Sequence, residues 1–145
     1  MSENRPFLIF GVGEETYALD VAAVERVLPA AEVTPLPDAP ATVLGLINIA
    51  GELMPVISAR RHFSLPPRDM ELSDRLIVTR AGGKRLALLV DKADDVRDLS
   101  PQAVTSVVSG CPGPTSAVAT LPGSLVLIQD INAFAPAARP EDGVE

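Results

Sequence analysis

The sequence predicts a mainly β protein. Three observations carry that prediction: two stretches share one hairpin grammar, they recur with nearly constant internal spacing, and every candidate helix is short. The first stretch is "FLIF" at residues 7–10, the glycine-bearing "GVGEET", then "YALDV", which alternates in its early part. The second is "RLIVT" from Arg75, "RAGGK", then "RLALLV", with Gly82 and Gly83 supplying the positive φ angles of a tight turn. Leu8, Ile9 and Phe10 echo Leu76, Ile77 and Val78, while Ala18, Leu19, Val21 and Val27 echo Ala87, Leu88, Val90 and Val96. A weak internal duplication explains this economically. It predicts two small β-units with a surface connection, "SLPPRDMELSD" at residues 64–74, between them. The short strands then have to curl or close to protect their edges.

The remaining elements are brief. "VAAVERVL" has some helical spacing, but its valines fit a strand equally well. "PATVL" after Pro40, "SARRHF" and "DINAF" are each expected to give at most a turn or two of helix. Residues 1–6 and 136–145 are polar and proline-bearing and bury little, so flexible tails are expected around one domain at 7–135.

Composition limits what such a domain does. A chain of 145 residues buries roughly 70% of the surface its unfolded form exposes, enough for a real core. With 47% hydrophobic but only 3% aromatic residues, that core is built from Val, Leu, Ile and Ala. A net charge of -7 opposes both nucleic acid and an acidic membrane surface, since phosphate binding needs clustered Lys and Arg. No apolar run approaches the roughly 20 residues that span a bilayer, so no membrane insertion is expected. Met1 to Phe10 lacks the pattern of a signal peptide, and one cysteine cannot form an internal disulfide. The chain reads as soluble and cytoplasmic.

Catalytic, metal and cofactor chemistry finds little footing. His62 and Cys111 are the only residues of their kinds, which excludes a structural zinc site of the usual ligand spacing. His62 is expected to cap a short helix or sit at its exposed end, and Cys111, between Gly110 and Pro112, to lie in a loop. "GVGEET" and "AGGKR" do not match a phosphate-binding loop and are explained as hairpin turns. Asp91, Asp94, Asp95 and Asp98 lack the Gly and terminal Glu of a calcium loop and read as a solvated strand edge or turn. Few His, Cys or aromatic residues are available to line a pocket, which argues against a small β-barrel enzyme or metabolite binder. Arg60 and Arg61 suit a bidentate grip on a partner's carboxylate or an ordinary solvated surface. Val24, Val27 and Leu53 are most simply core residues.

"FLIFGVGEETYALDVAAVERVLP" followed by "VTPLPDAPATVLGLINIAGELMPVISARRHF" resembles the CheW family of bacterial chemotaxis coupling proteins. The similarity continues through "RLIVTRAGGKRLALLVDKADDV" to "LVLIQDINAF", several separated elements in one order. The resemblance implies two five-stranded β-barrels packed side by side with a few short helices. It implies a non-catalytic adaptor that needs no cofactor and bridges chemoreceptors and the histidine kinase CheA. One surface on the first barrel then docks the kinase regulatory domain, and a groove between the barrels takes the receptor's cytoplasmic tip. The partner-binding residues it implies are Val24, Gly45, Asn48, Ala50, Leu53 and Arg60, and it implies recruitment to receptor arrays at the inner face of the membrane. Against the family pattern, Ala50 stands where Arg is usual, Ser58 and Ala59 where Asp and Leu are usual, and Arg26 where an acid is common. These departures leave open a divergent CheW-like adaptor of another pathway, such as pilus motility or second-messenger control.

Overall fold

The computed structural model describes residues 4–66, 68–81, 83–100, 104–106, 115–121 and 123–134. Their strands are β1 (Arg5–Val12), β2 (Glu15–Asp20), β3 (Val24–Pro29), β4 (Thr34–Pro35), β5 (Val43–Ile49), β6 (Glu52–Ser58), β7 (Arg75–Ala81), β8 (Lys84–Val90), β9 (Lys92–Leu99), β10 (Val104–Ser106), β11 (Thr115–Leu121) and β12 (Ser124–Gln129). Both expected hairpins form, β1 with β2 and β7 with β8. Their matching differs from the sequence echo by one residue in the leading strand. Leu8 faces Leu19 and Ile9 faces Ala18, while Ile77 faces Leu88 and Val78 faces Ala87. Leu8 therefore corresponds to Ile77, not to Leu76. A one-residue slip moves every side chain to the other face, and an unbroken apolar run contains nothing that fixes it.

The two sheets share one topology. The first runs β10-β11-β12-β2-β1-β9 and the second β4-β5-β6-β8-β7-β3, with β12·β2 and β6·β8 as their parallel pairs. Each sheet takes its central hairpin from one half of the chain and its four other strands from the opposite half. Residues 64–74 consequently join two strands of the second sheet, β6 and β7, rather than one β-unit to another. The chain changes sheets after β2, through a 3-10 turn at Val21–Ala23 whose Ala22 amide donates to the Asp20 side chain, and again at Asp91. Short outer strands bring each sheet to six where the family resemblance implies five. "VERVLP" resolves as strand, and "PATVL" contributes the start of β5 instead of a helix.

Alternation along the central strands builds three cores. Phe7 and Ile9 point into the core of the first sheet with Ala18, Val126 and Ile128. Leu76 and Val78 point into that of the second with Ile47, Met54, Val56 and Ala87. Their neighbours Leu8, Phe10, Tyr17, Leu19, Ile77 and Leu88 meet in a third core between the sheets. The hairpins are thus buried on both faces, which is why they read as near-continuous apolar runs.

Candidate functional site

The β5–β6 hairpin presents an exposed tip, residues 50–53, in the stretch that carries the family resemblance. Ile49 pairs with Glu52, leaving a two-residue turn of Ala50 (φ 53°) and Gly51 (φ 89°). Positive φ at both positions is the hairpin geometry that matches strand twist. Asn48 fastens it, its Oδ1 accepting from the Gly51 amide at 2.8 Å. Leu53 lies opposite Asn48 and is 64% exposed, while the next residue, Met54, is buried in the second sheet's core. The reading of Leu53 as core is corrected here: the period of two turns it outward. Gly45, deeper in β5, is buried and pairs with Pro35, and a Cβ there would collide with the Thr34 carbonyl. Its task is to let β4 approach.

Pro55 lies in an interior strand, where proline is usually excluded. β6 is interior, but its parallel ladder to β8 starts only at Val56, so the missing N–H falls outside it. Val24 begins β3 opposite Thr79, half-buried against the core between the sheets.

Charges around the turn form a closed network with one residue left over. Arg85 reaches Glu25 at 2.8 Å and also contacts Glu52, while Arg80 reaches Glu25 at 3.1 Å. Arg26 lines a depression of about 180 Å³ together with Ala50, Ile49, Met54 and Val78, and makes no ion pair among the described residues. Positions 26 and 50 therefore line one depression. An acid at one and an arginine at the other, the usual family pair, would complement each other, and this chain lacks both. The two departures lie far apart in the sequence, and only the fold brings them to one depression.

Arg60 is elsewhere. It belongs to a one-turn helix, α1 (Ala59–His62), whose N-cap Ser58 accepts from the Arg61 amide at 3.2 Å. Ser58 thereby supplies the helix-capping oxygen that the family's usual Asp would supply at that position. The Arg60 guanidinium grips Asp91 through Nε to Oδ1 at 3.0 Å and NH2 to Oδ2 at 2.8 Å. Arg68 adds a contact to Asp91 at 3.0 Å and to the buried Asp74 at 2.8 Å, and the Gly13 amide donates to Asp91 at 2.7 Å. Asp91 is therefore no solvated edge carboxylate but the junction where the first hairpin's turn, α1 and the strand end of β8 meet. Burial pushes its carboxyl up, yet the Arg60 fork, the Gly13 amide and the charges of Arg60 and Arg68 together hold it below its ordinary value. Asp95 and Asp98 are exposed as expected, and Cys111 lies outside the described residues.

His62 departs from the expected exposed end. Its ring lies 4.2 Å from that of Phe134 and 5.2 Å from that of Phe63, and Phe63 stacks on Tyr17 at 4.3 Å. Burial lowers its pKa, and Nε2 is buried with no hydrogen-bond partner among the described residues. The contacts pin α1 to the first sheet and to the 3-10 turn Ile131–Phe134. No group of three or more metal-ligating side chains occurs among the described residues.

Comparison with known proteins agrees with this architecture. Residues 6–139 match the family model described as CheW-like domain. The chain is 28% identical over 108 residues to the chemotaxis protein CheW of Treponema pallidum, covering 72% of this chain and 64% of that protein. It is 28% identical over 103 residues to that of Rhizobium meliloti, covering 68% and 66%. These two alignments thus span just under two thirds of either relative. With the Thermotoga maritima protein identity is 24% over 139 residues, covering 94% and 91%. The solved structure of the scaffolding protein TtCheW from Thermoanaerobacter tengcongensis superposes with a TM-score of 0.80 at 23% identity, covering 88% of this chain and 89% of that one. On the family match across nearly its whole length, joined to its paired sheets, the chain belongs to the CheW-like domain family.

Proposed function

We propose that the chain is a non-catalytic coupling adaptor that bridges the regulatory domain of a CheA-type histidine kinase and the cytoplasmic tip of methyl-accepting chemoreceptors. The observation that supports this most is the family match over residues 6–139, in a fold that turns an apolar side chain, Leu53, to solvent. In this reading Ala50 and Leu53 contact a partner, and Asn48 and Gly45 hold the hairpin that presents them. Val24 lines the groove between the sheets, and Arg60 keeps α1 and the first hairpin in register. The working unit is the single domain 7–135, with residues 1–6 and 136–145 as tails. The protein works in the cytoplasm and reaches receptor arrays at the inner face of the membrane only through its partners.

The test is titration of the purified protein with a CheA regulatory domain and with a receptor-tip fragment. Both are expected to bind. Leu53→Asp is expected to weaken one of them at least tenfold without changing the melting temperature, because an exposed leucine supplies contact and not core. Binding of neither by the wild type sinks the adaptor reading. A second reading, an adaptor of another chemosensory-type pathway with altered partners, draws support from the joint change at Arg26 and Ala50. It predicts binding only to the kinase and receptor of that pathway.

A further inference from the structure

The depression between β3 and the β5–β6 turn combines an apolar base with a cation that no ion pair answers among the described residues. Met54 and Val78 belong to the buried core of the second sheet, and Ile49 is half-buried beside them. Glu25, Glu52 and Arg85 line it too, but Glu25 is held by Arg80 and Arg85, and Glu52 by Arg85, so two acids and two arginines satisfy one another. Arg26 remains, exposed and without an ion pair among the described residues, in a chain whose net charge is -7. Ala50 is too small to cover it.

From this we infer that Arg26 is a specificity-determining residue that receives a carboxylate side chain from the kinase regulatory domain, reversing the polarity that an acid at this position would impose. The inference rests on the adaptor reading. The occupant follows from position: the depression overlies Met54 and Val78 of the second sheet's own core and not the core between the sheets, beside which the receptor groove of the adaptor reading runs. A guanidinium beside apolar surface offers a planar fork to a carboxylate and loses less on dehydration than an ammonium. A partner with a basic side chain at the matching position is repelled, which is how one charge separates cognate from foreign kinases.

The test uses the full chain and the regulatory domain of the kinase encoded in the same genome. Arg26→Gln is expected to weaken binding several-fold and to flatten its salt dependence, and Arg26→Glu to weaken it at least tenfold. Both variants should melt like the wild type, since Arg26 makes no ion pair among the described residues. Replacing one acidic residue of the regulatory domain by Lys should restore binding to Arg26→Glu. The receptor-tip fragment should bind all forms alike. If the wild type binds the domain and Arg26→Glu binds it within twofold at unchanged salt dependence, the inference is wrong while the adaptor reading stands. A loss confined to the receptor tip overturns the assigned occupant, and a wild type that binds neither protein overturns the adaptor reading and this inference together.

Discussion

Arg60 and Asp91 meet fork to fork across the end of β8, with two nitrogens on two oxygens at 3.0 and 2.8 Å. The pair gathers three segments that the chain otherwise leaves apart: α1, the Gly13 turn of the first hairpin and the point where β8 gives way to β9.

Arg60→Ala is expected to cost about 1.5 kcal/mol in urea unfolding, the lower end for hydrogen bonds to charged groups because both side chains keep some solvent. Arg60→Lys restores charge but not the fork, so it should recover only part. Asp91 is held below its ordinary pKa in the fold. Its contribution is therefore complete above the unfolded value and disappears as pH falls through the folded one. Removing Arg60 should move this acid-side loss to higher pH. A profile that keeps its shape in Arg60→Ala would show that Arg68 and Gly13 alone set the Asp91 equilibrium.

His62 works in the opposite chemical sense. Burial favours its neutral ring, so the unfolded chain takes up the proton first as pH drops below the ordinary value of 6.5. Stability is expected to fall from that point until the folded-state pKa is reached. His62→Phe keeps an aromatic ring between Phe63 and Phe134 and removes the unpartnered Nε2, so this part of the pH dependence should vanish. Identical slopes between pH 5 and pH 7 in both proteins would contradict the assignment.

Gly45→Ala should be the most damaging single methyl in the molecule. The added carbon runs into backbone at Thr34, which no side-chain rearrangement relieves. A loss on the order of 3 kcal/mol or more is expected, with β4 peeling from β5 before the rest unfolds. Equal thermal melting of variant and wild type would remove Gly45 from the structural account.

Ala50→Asn is expected to raise stability by about 0.5 to 1 kcal/mol, because asparagine tolerates the left-handed conformation that alanine adopts at a cost of about 1 kcal/mol. Ala50→Arg behaves differently. Restoring the arginine usual in the family places a second guanidinium beside Arg26, so no gain in stability or binding is expected from it alone. Combined with Arg26→Glu it should recover a coupling of about 0.5 to 1 kcal/mol in a double-mutant cycle. Strict additivity would mean that positions 26 and 50 do not interact.

Much of the fold was legible because it is written in local grammar. The glycine turns, the alternation into β2 and the capped one-turn helix at Ala59–His62 are all short-range features. What stayed hidden depends on pairing between distant residues. Nothing near Ile9 says that it answers Val78 and not Ile77, and nothing near residues 64–74 says that they stay within one sheet. The candidate site divides in the same way. Asn48, Ala50 and Leu53 lie in one short stretch that the family resemblance marks, although no hairpin is read there from the residues, whereas the shared depression of Arg26 and Ala50, the triangle of Glu25, Arg85 and Glu52, and the engagement of Arg60 by Asp91 require the pairing of separate strands.

The exchange of hairpins between the two halves also governs how the protein comes into being on the ribosome. When the first half has emerged, its β3–β6 lack the strands they need, and its β1–β2 hairpin has no sheet to enter. The second sheet has to wait for β7 and β8, and the first hairpin's apolar strands stay open until β12 arrives. A half-length forebear carrying the same hairpin and four strands could close these sheets only by lending its hairpin to a twin and borrowing one in return. Joined end to end, such a pair of twins becomes this single chain, in which each half is completed by the other.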